Sequence, residues 1–193
     1  RSTSEPEFLA LNPKAVVPVV VDGDAVLTES NTIVRYLAAS RGRTDLLPTA
    51  PLERARVEQW MDWQAMDLNR AWRYAFYALN RRRPDYQDPV QIAESVKDWS
   101  DKIAILDSHL ATARTDFVCG DAFTVADIPL GLSQSLAIDL GGRLGGNPTQ
   151  LGLGDVLRHA DLAADAHRGV ALLGIGHQQL QLRIFDLLEA RLD

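Results

Sequence analysis

A β-branched run with a proline in its middle constrains this chain more than any other feature. Asn12-Pro13-Lys14-Ala15-Val16-Val17-Pro18-Val19-Val20 leads into Asp22-Gly23, and Leu27-Thr28-Glu29-Ser30-Asn31-Thr32-Ile33-Val34-Arg35-Tyr36-Leu37 follows. Proline cannot donate to a sheet ladder, so Pro18 belongs at a sheet edge or a strand start. Val16 to Val21 reads as a strand bounded by turn residues. Asp22-Gly23 is a hairpin turn signal, and Ala25-Val26-Leu27 is the returning strand. Ser30 suits the N-cap of a helix whose apolar face is Ile33, Val34 and Leu37. Arg41-Gly42-Arg43 closes that helix. Upstream, Asn12-Pro13 ends any helix formed by Phe8, Leu9 and Leu11.

Leu47-Pro48-Thr49-Ala50-Pro51 is a proline-spaced linker, and the apolar period changes beyond it. Val57, Trp60, Met61, Ala65, Leu68, Trp72, Ala75, Phe76 and Leu79 recur at steps of three and four, which predicts a long helix from about Glu53 to Asn80. Arg81-Arg82-Arg83-Pro84 ends it. Ile92, Val96, Trp99, Ile103, Leu106 and Leu110 predict a second long helix, antiparallel to the first across a short connection. Thr124-Val125-Ala126-Asp127 has the form of a capping box, with Phe123 and Ile128 at the positions of a hydrophobic staple.

Composition narrows the function classes. The 193 residues are 46% hydrophobic and 24% charged, which is the make-up of an ordinary globular chain. A net charge of −6 argues against a general affinity for nucleic acid or an anionic membrane. No apolar run reaches the ~18 residues of a membrane helix. The single Cys119 excludes an internal disulfide framework and fits a reducing compartment. With no signal-type segment in view, the expected location is cytoplasmic. His159, His167 and His177 have no metal-site spacing, so no metal is expected. Gly141 to Gly146 lacks the Lys-Ser/Thr of a phosphate loop. Arg81-Arg82-Arg83 reads as a solvated helix end, because no aromatic residues interleave it in sequence.

The Val-Pro strand, the hairpin, the Glu-Ser helix start, the proline linker and the segment Val118-Cys119-Gly120-Asp121-Ala122-Phe123-Thr124-Val125-Ala126-Asp127-Ile128 together resemble the glutathione S-transferase family over about residues 5 to 138. The resemblance implies an α+β fold: a partial thioredoxin-like, glutathione-binding domain over 1–47, followed by an all-α helical domain over 48–193. It implies a cis bond between Val17 and Pro18, with the Val17 N–H and C=O turned outward to pair with the cysteinyl backbone of glutathione. Free N–H groups at a helix start carry partial positive charge. Ser30 would therefore hold the α-carboxylate of the γ-glutamyl group, and the Glu29 carboxylate its ammonium. Asn69, Trp72, Arg73 and Phe76 share one helix face by spacing and would border the pocket for a small apolar electrophile.

The implied activity is a transferase joining glutathione, as co-substrate, to such an electrophile in detoxification, within a homodimer. The alternative is a non-catalytic binding or interaction module of the same fold. In the family, the thiolate-activating Ser, Tyr or Cys lies in an opening β-α-β unit of ~30 residues or more. Only the tail of such a unit fits before Asn12, so the expectation is an N-terminally shortened chain with no catalytic residue; Ser2, Thr3 and Ser4 are not given the role. Residues 139–193 depart from the family texture, with nine of the thirteen glycines beyond residue 140. They are expected to be a divergent tail, with a further helix over Leu180 to Leu192.

Overall fold

The computed structural model describes residues 3–133. The expectations for Ser2, the three tail histidines, Gly141 to Gly146, Leu180 to Leu192 and the tail as a whole lie outside the described residues. Those described form two compact units parted between Leu47 and Pro48.

The first unit opens with α1, Pro6–Leu11, which starts on proline and ends at Asn12. An antiparallel hairpin follows, β1 (Val19–Asp22) and β2 (Ala25–Thr28), paired from Val19↔Thr28 to Asp22↔Ala25. Gly23 opens the two-residue loop at φ 57°, a left-handed conformation that glycine adopts freely. The strand is shorter than the run from Val16 suggests. Pro18 has no N–H for the ladder, and the Val16 carbonyl accepts from Asn12 Nδ2 at 2.7 Å instead.

Helix α2, Ser30–Ser40, buries Ile33, Val34 and Ala38. Its cap is Glu29, at φ 69°, and not Ser30, which is the first helical residue. The left-handed Glu29 turns the chain from β2 straight into the helix, which leaves no extended position for a serine cap. The far end is a Schellman motif: Gly42 at φ 64° donates to Ala39 O and Arg43 donates to Ala38 O.

In the second unit the expected long helix is continuous but not uniform. Helix α3 (Pro51–Trp63) passes through a π segment (Gln64–Leu68), α4 (Asn69–Ala75) and a second π segment (Phe76–Asn80). Ser95 Oγ donates to Ala71 O at 2.6 Å and accepts from Ala75 N at 3.1 Å. It therefore bridges the two groups that an α-helix joins directly, and a hydroxyl inserted into the ladder widens the turn. Ser95 lies on α5 (Pro89–Ala113), whose first turn is capped by Asp88 through Val90 N and Gln91 N. Met61, Leu68, Ala75, Ile103 and Leu106 form a continuous buried seam along these helices.

A last helix, α6, runs over 127–133. Its cap differs from the expected capping box in one bond. Asp127 Oδ2 reaches back to Thr124 N at 2.8 Å and Thr124 Oγ1 at 3.0 Å, and Oδ1 accepts from Val118 N at 2.9 Å. The Thr124 hydroxyl accepts from Ala126 N, while Asp127 N bonds to Thr124 O. Phe123 meets Phe117 edge-on at 5.7 Å.

Candidate functional site

Hairpin register decides what meets at the mouth of α2. Because Val19 faces Thr28 at the open end of the ladder, Val17-Pro18 and Glu29-Ser30 emerge from the same end of the sheet. The Val17–Pro18 bond is cis. Val17 is exposed, and among the described residues its N–H and C=O have no hydrogen-bond partner. Ser30 is half-buried, and its hydroxyl is likewise without a partner among the described residues. The first-turn N–H groups of α2 have no intrahelical acceptor. Such a mouth offers the Ser30 hydroxyl and a partial positive charge to an anionic group, beside the Glu29 carboxylate.

The loop that delivers Val17 is knitted by Asn12, which is 2% exposed. Its Oδ1 accepts from Lys14 N at 3.2 Å, and its backbone carbonyl accepts from Ala15 N at 3.0 Å. Ala15 itself stands at φ 57°. Lys14 Nζ reaches Glu29 Oε1 at 2.8 Å, and both side chains are exposed. On the other side of the hairpin the Tyr36 hydroxyl donates to the Asp22 carboxylate, which pins α2 to β1 and holds the phenol above its usual range. Sequence reasoning did not single out Asn12 or Lys14 as side chains. The Asn-Pro pair was the available signal, since asparagine commonly bonds the backbone two residues on.

The four candidates of the helical unit divide. Asn69 Oδ1 accepts from Trp72 Nε1 at 3.1 Å and from Gln64 Nε2 at 2.9 Å, and Gln64 Nε2 also donates to Ser133 Oγ at 2.8 Å. Trp72 and Phe76 are buried and meet edge-on at 5.3 Å. Arg73 is exposed, and its guanidinium lies over the Tyr77 ring at 5.9 Å. Arg81 lies over Phe76, and Arg83 over both Tyr77 and Tyr86, each at 5.3 Å. The arginine run is thus interleaved with rings in space, though not in sequence. Cys119 Sγ donates to Arg56 O at 3.5 Å, and burial pushes its thiol up to about 11. A thiol so protonated is a poor nucleophile at neutral pH. Among the described residues no group of His, Cys, Asp and Glu is placed to hold a metal, and no helix is long and apolar enough to cross a membrane.

The chain is similar to several known proteins. Residues 1–39 match the family model described as the glutathione S-transferase N-terminal domain. The chain is 40% identical over 126 residues to the glutathione S-transferase GstB of Escherichia coli K12, covering 64% of this chain and 60% of that protein. The crystal structure of a theta class glutathione S-transferase from Xanthomonas axonopodis pv. citri, with glutathione bound, superposes with a TM-score of 0.60 at 39% identity; the match covers 67% of this chain and 61% of that one. A probable elongation factor 1-gamma 2 of Arabidopsis thaliana is 29% identical over 127 residues, 66% of this chain but 30% of that protein. These matches support a glutathione S-transferase family member with an α+β fold whose first part is thioredoxin-like. The chain spans 60% or less of the length of these two curated relatives.

Proposed function

We propose that the chain binds glutathione at the open end of the hairpin and acts as a glutathione transferase toward a small apolar electrophile. The tripeptide's cysteinyl backbone would pair with the Val17 N–H and C=O. Its γ-glutamyl carboxylate would meet the Ser30 hydroxyl and the α2 mouth, and its ammonium the Glu29 carboxylate. The observation that carries this reading is the register: Val19↔Thr28 pairing sets an unpartnered Val17 backbone beside a helix start with an acidic residue. Catalysis would come from proximity and a lowered thiol pKa. No described residue is assigned the lowering. Asn69, Trp72, Arg73 and Phe76 are the candidates for the electrophile, and a homodimer is the expected assembly, to be sized by light scattering.

Calorimetric titration with glutathione, together with retention on glutathione-agarose, tests the site. Glu29→Ala and Ser30→Ala each remove a charge-assisted contact and should weaken binding by roughly tenfold or more. Unchanged binding in both variants would rule the site out. The similarity to an elongation factor supports a second reading, a binding module of the same fold without turnover. A conjugation assay with a chlorinated aromatic acceptor separates the two, because robust turnover eliminates the second.

A further inference from the structure

We propose that Lys14 reads the α-carboxylate of the bound γ-glutamyl end by exchanging partners with Glu29 when the ligand arrives. The proposal rests on the glutathione reading above. Lys14 Nζ donates to Glu29 Oε1 at 2.8 Å. A lysine ammonium and an α-ammonium are the same kind of group, so the ligand's ammonium takes the place that Lys14 holds. Opening the pair costs little. The two side chains are 60% and 66% exposed, and an ion pair so exposed is weak in water.

The displaced Nζ does not travel far. Glu29 and Ser30 are adjacent, so an ammonium released from Glu29 is already beside the mouth of α2, where the ligand's carboxylate is directed. The stem is anchored as well. Lys14 N bonds to Asn12 Oδ1 at 3.2 Å, and Asn12 Nδ2 bonds to Val16 O at 2.7 Å. One buried asparagine therefore presents both Lys14 and the residue preceding Val17. The result is a two-point reader of a free amino-acid end. Glu29 takes the ammonium and Lys14 with Ser30 takes the carboxylate, so one ion pair within the chain gives way to two with the ligand. Such an exchange adds selectivity for the zwitterion more than raw affinity.

The test is a cycle between residue and ligand on the full chain. Glutathione and its analogue with a primary amide in place of the γ-glutamyl α-carboxylate are titrated into wild type, Lys14→Gln and Lys14→Arg. The expected result is that Lys14→Gln weakens glutathione by about three- to fivefold, leaves the amide analogue unchanged, and is rescued by Lys14→Arg. The wild-type advantage should shrink with added salt. Glutathione bound by Lys14→Gln as tightly as by wild type, or more tightly, would mean that Lys14 is a bystander or a plug, and would overturn the proposal. Equal weakening of both ligands would also overturn it, since the carboxylate would then not be what Lys14 meets. Failure of wild type to bind glutathione at all sinks the underlying site, an outcome distinct from both.

Discussion

Residues 3–47 and residues 48–133 hold their shapes by different means. In the helical unit, shape follows from apolar side chains at helical spacing. Met61, Leu68 and Ile103 are all at or below 2% exposure, and they lie along long elements whose backbone bonds are nearly all local. In the first unit the elements are short, and Val21 and Val26 on the hairpin stay exposed at 54% and 42%. There the chain is steered by single positions: left-handed Ala15, Gly23 and Glu29, and the buried Asn12 side chain that bonds to two stretches of its own loop. A packed seam tolerates small shifts anywhere along it. A turn that must aim one backbone amide does not. The candidate site lies in the unit of the second kind.

The largest effect should separate the two regimes. Leu68→Ala removes a fully buried side chain and should destabilise the helical unit by about 3–5 kcal/mol in chemical denaturation. Val21→Ala, a truncation of similar chemistry on the exposed hairpin face, should stay within about 0.5 kcal/mol. Comparable losses from the two would dissolve the distinction.

Cys119 sharpens the same contrast through pH. Burial is the main cause of its raised pKa, so at neutral pH it should present at least about ten times fewer thiolates than a free cysteine and alkylate correspondingly slowly. The folded value, about 11, lies above the ordinary 9.0, so the unfolded chain ionises this thiol first. Its contribution to stability is therefore intact below pH 9 and is lost as pH rises toward 11. Alkylation rates across that range, followed beside thermal unfolding, check both signs. Fast alkylation at pH 7 would mean that the Cys119 region opens readily.

Asn12→Ala comes next in size. It deletes the donor to Val16 O and the acceptor of Lys14 N, and should cost the first unit about 1–2 kcal/mol. Glutathione affinity should fall with it, although Asn12 touches no proposed ligand atom. A variant as stable and as retentive as wild type would show that the loop aims itself without Asn12.

How much of this was legible in sequence follows the same division. The helices 51–80 and 89–113 were readable because spacing of three and four is a local code, and so was the hairpin, from Asp22-Gly23 between β-branched runs. What escaped depends on groups far apart in the chain. Ser95 enters the helical ladder between Ala71 and Ala75, twenty-odd residues away, and nothing local to either segment announces it. Lys14 finds Glu29 across the whole hairpin. Capping propensity favours Ser30 as the cap of α2, but the turn from β2 uses a left-handed glutamate, and propensity gives no hint of that. Spacing put Arg73 on one face with Trp72 and Phe76. Spacing fixes where a Cβ points, however, and a guanidinium on a long stem settles over Tyr77.

The smallest effect is also the cleanest test, because one chemical change should have opposite signs in the two regions. At Ala15, φ is 57°, where an L side chain crowds the following carbonyl at a cost of about 1–2 kcal/mol. Glycine removes that crowding and gives back about 0.5–1 kcal/mol through the greater freedom of the unfolded chain. Ala15→Gly should therefore stabilise the first unit by somewhat less than about 1 kcal/mol. At Ala104, exposed in the middle of α5, glycine finds nothing to relieve, and the same substitution should destabilise by about 1 kcal/mol. Hydrogen exchange of the β1 and α5 amides in the two variants reads each unit separately. If both substitutions destabilise, Ala15 is held comfortably, and the first unit is governed by packing like the second.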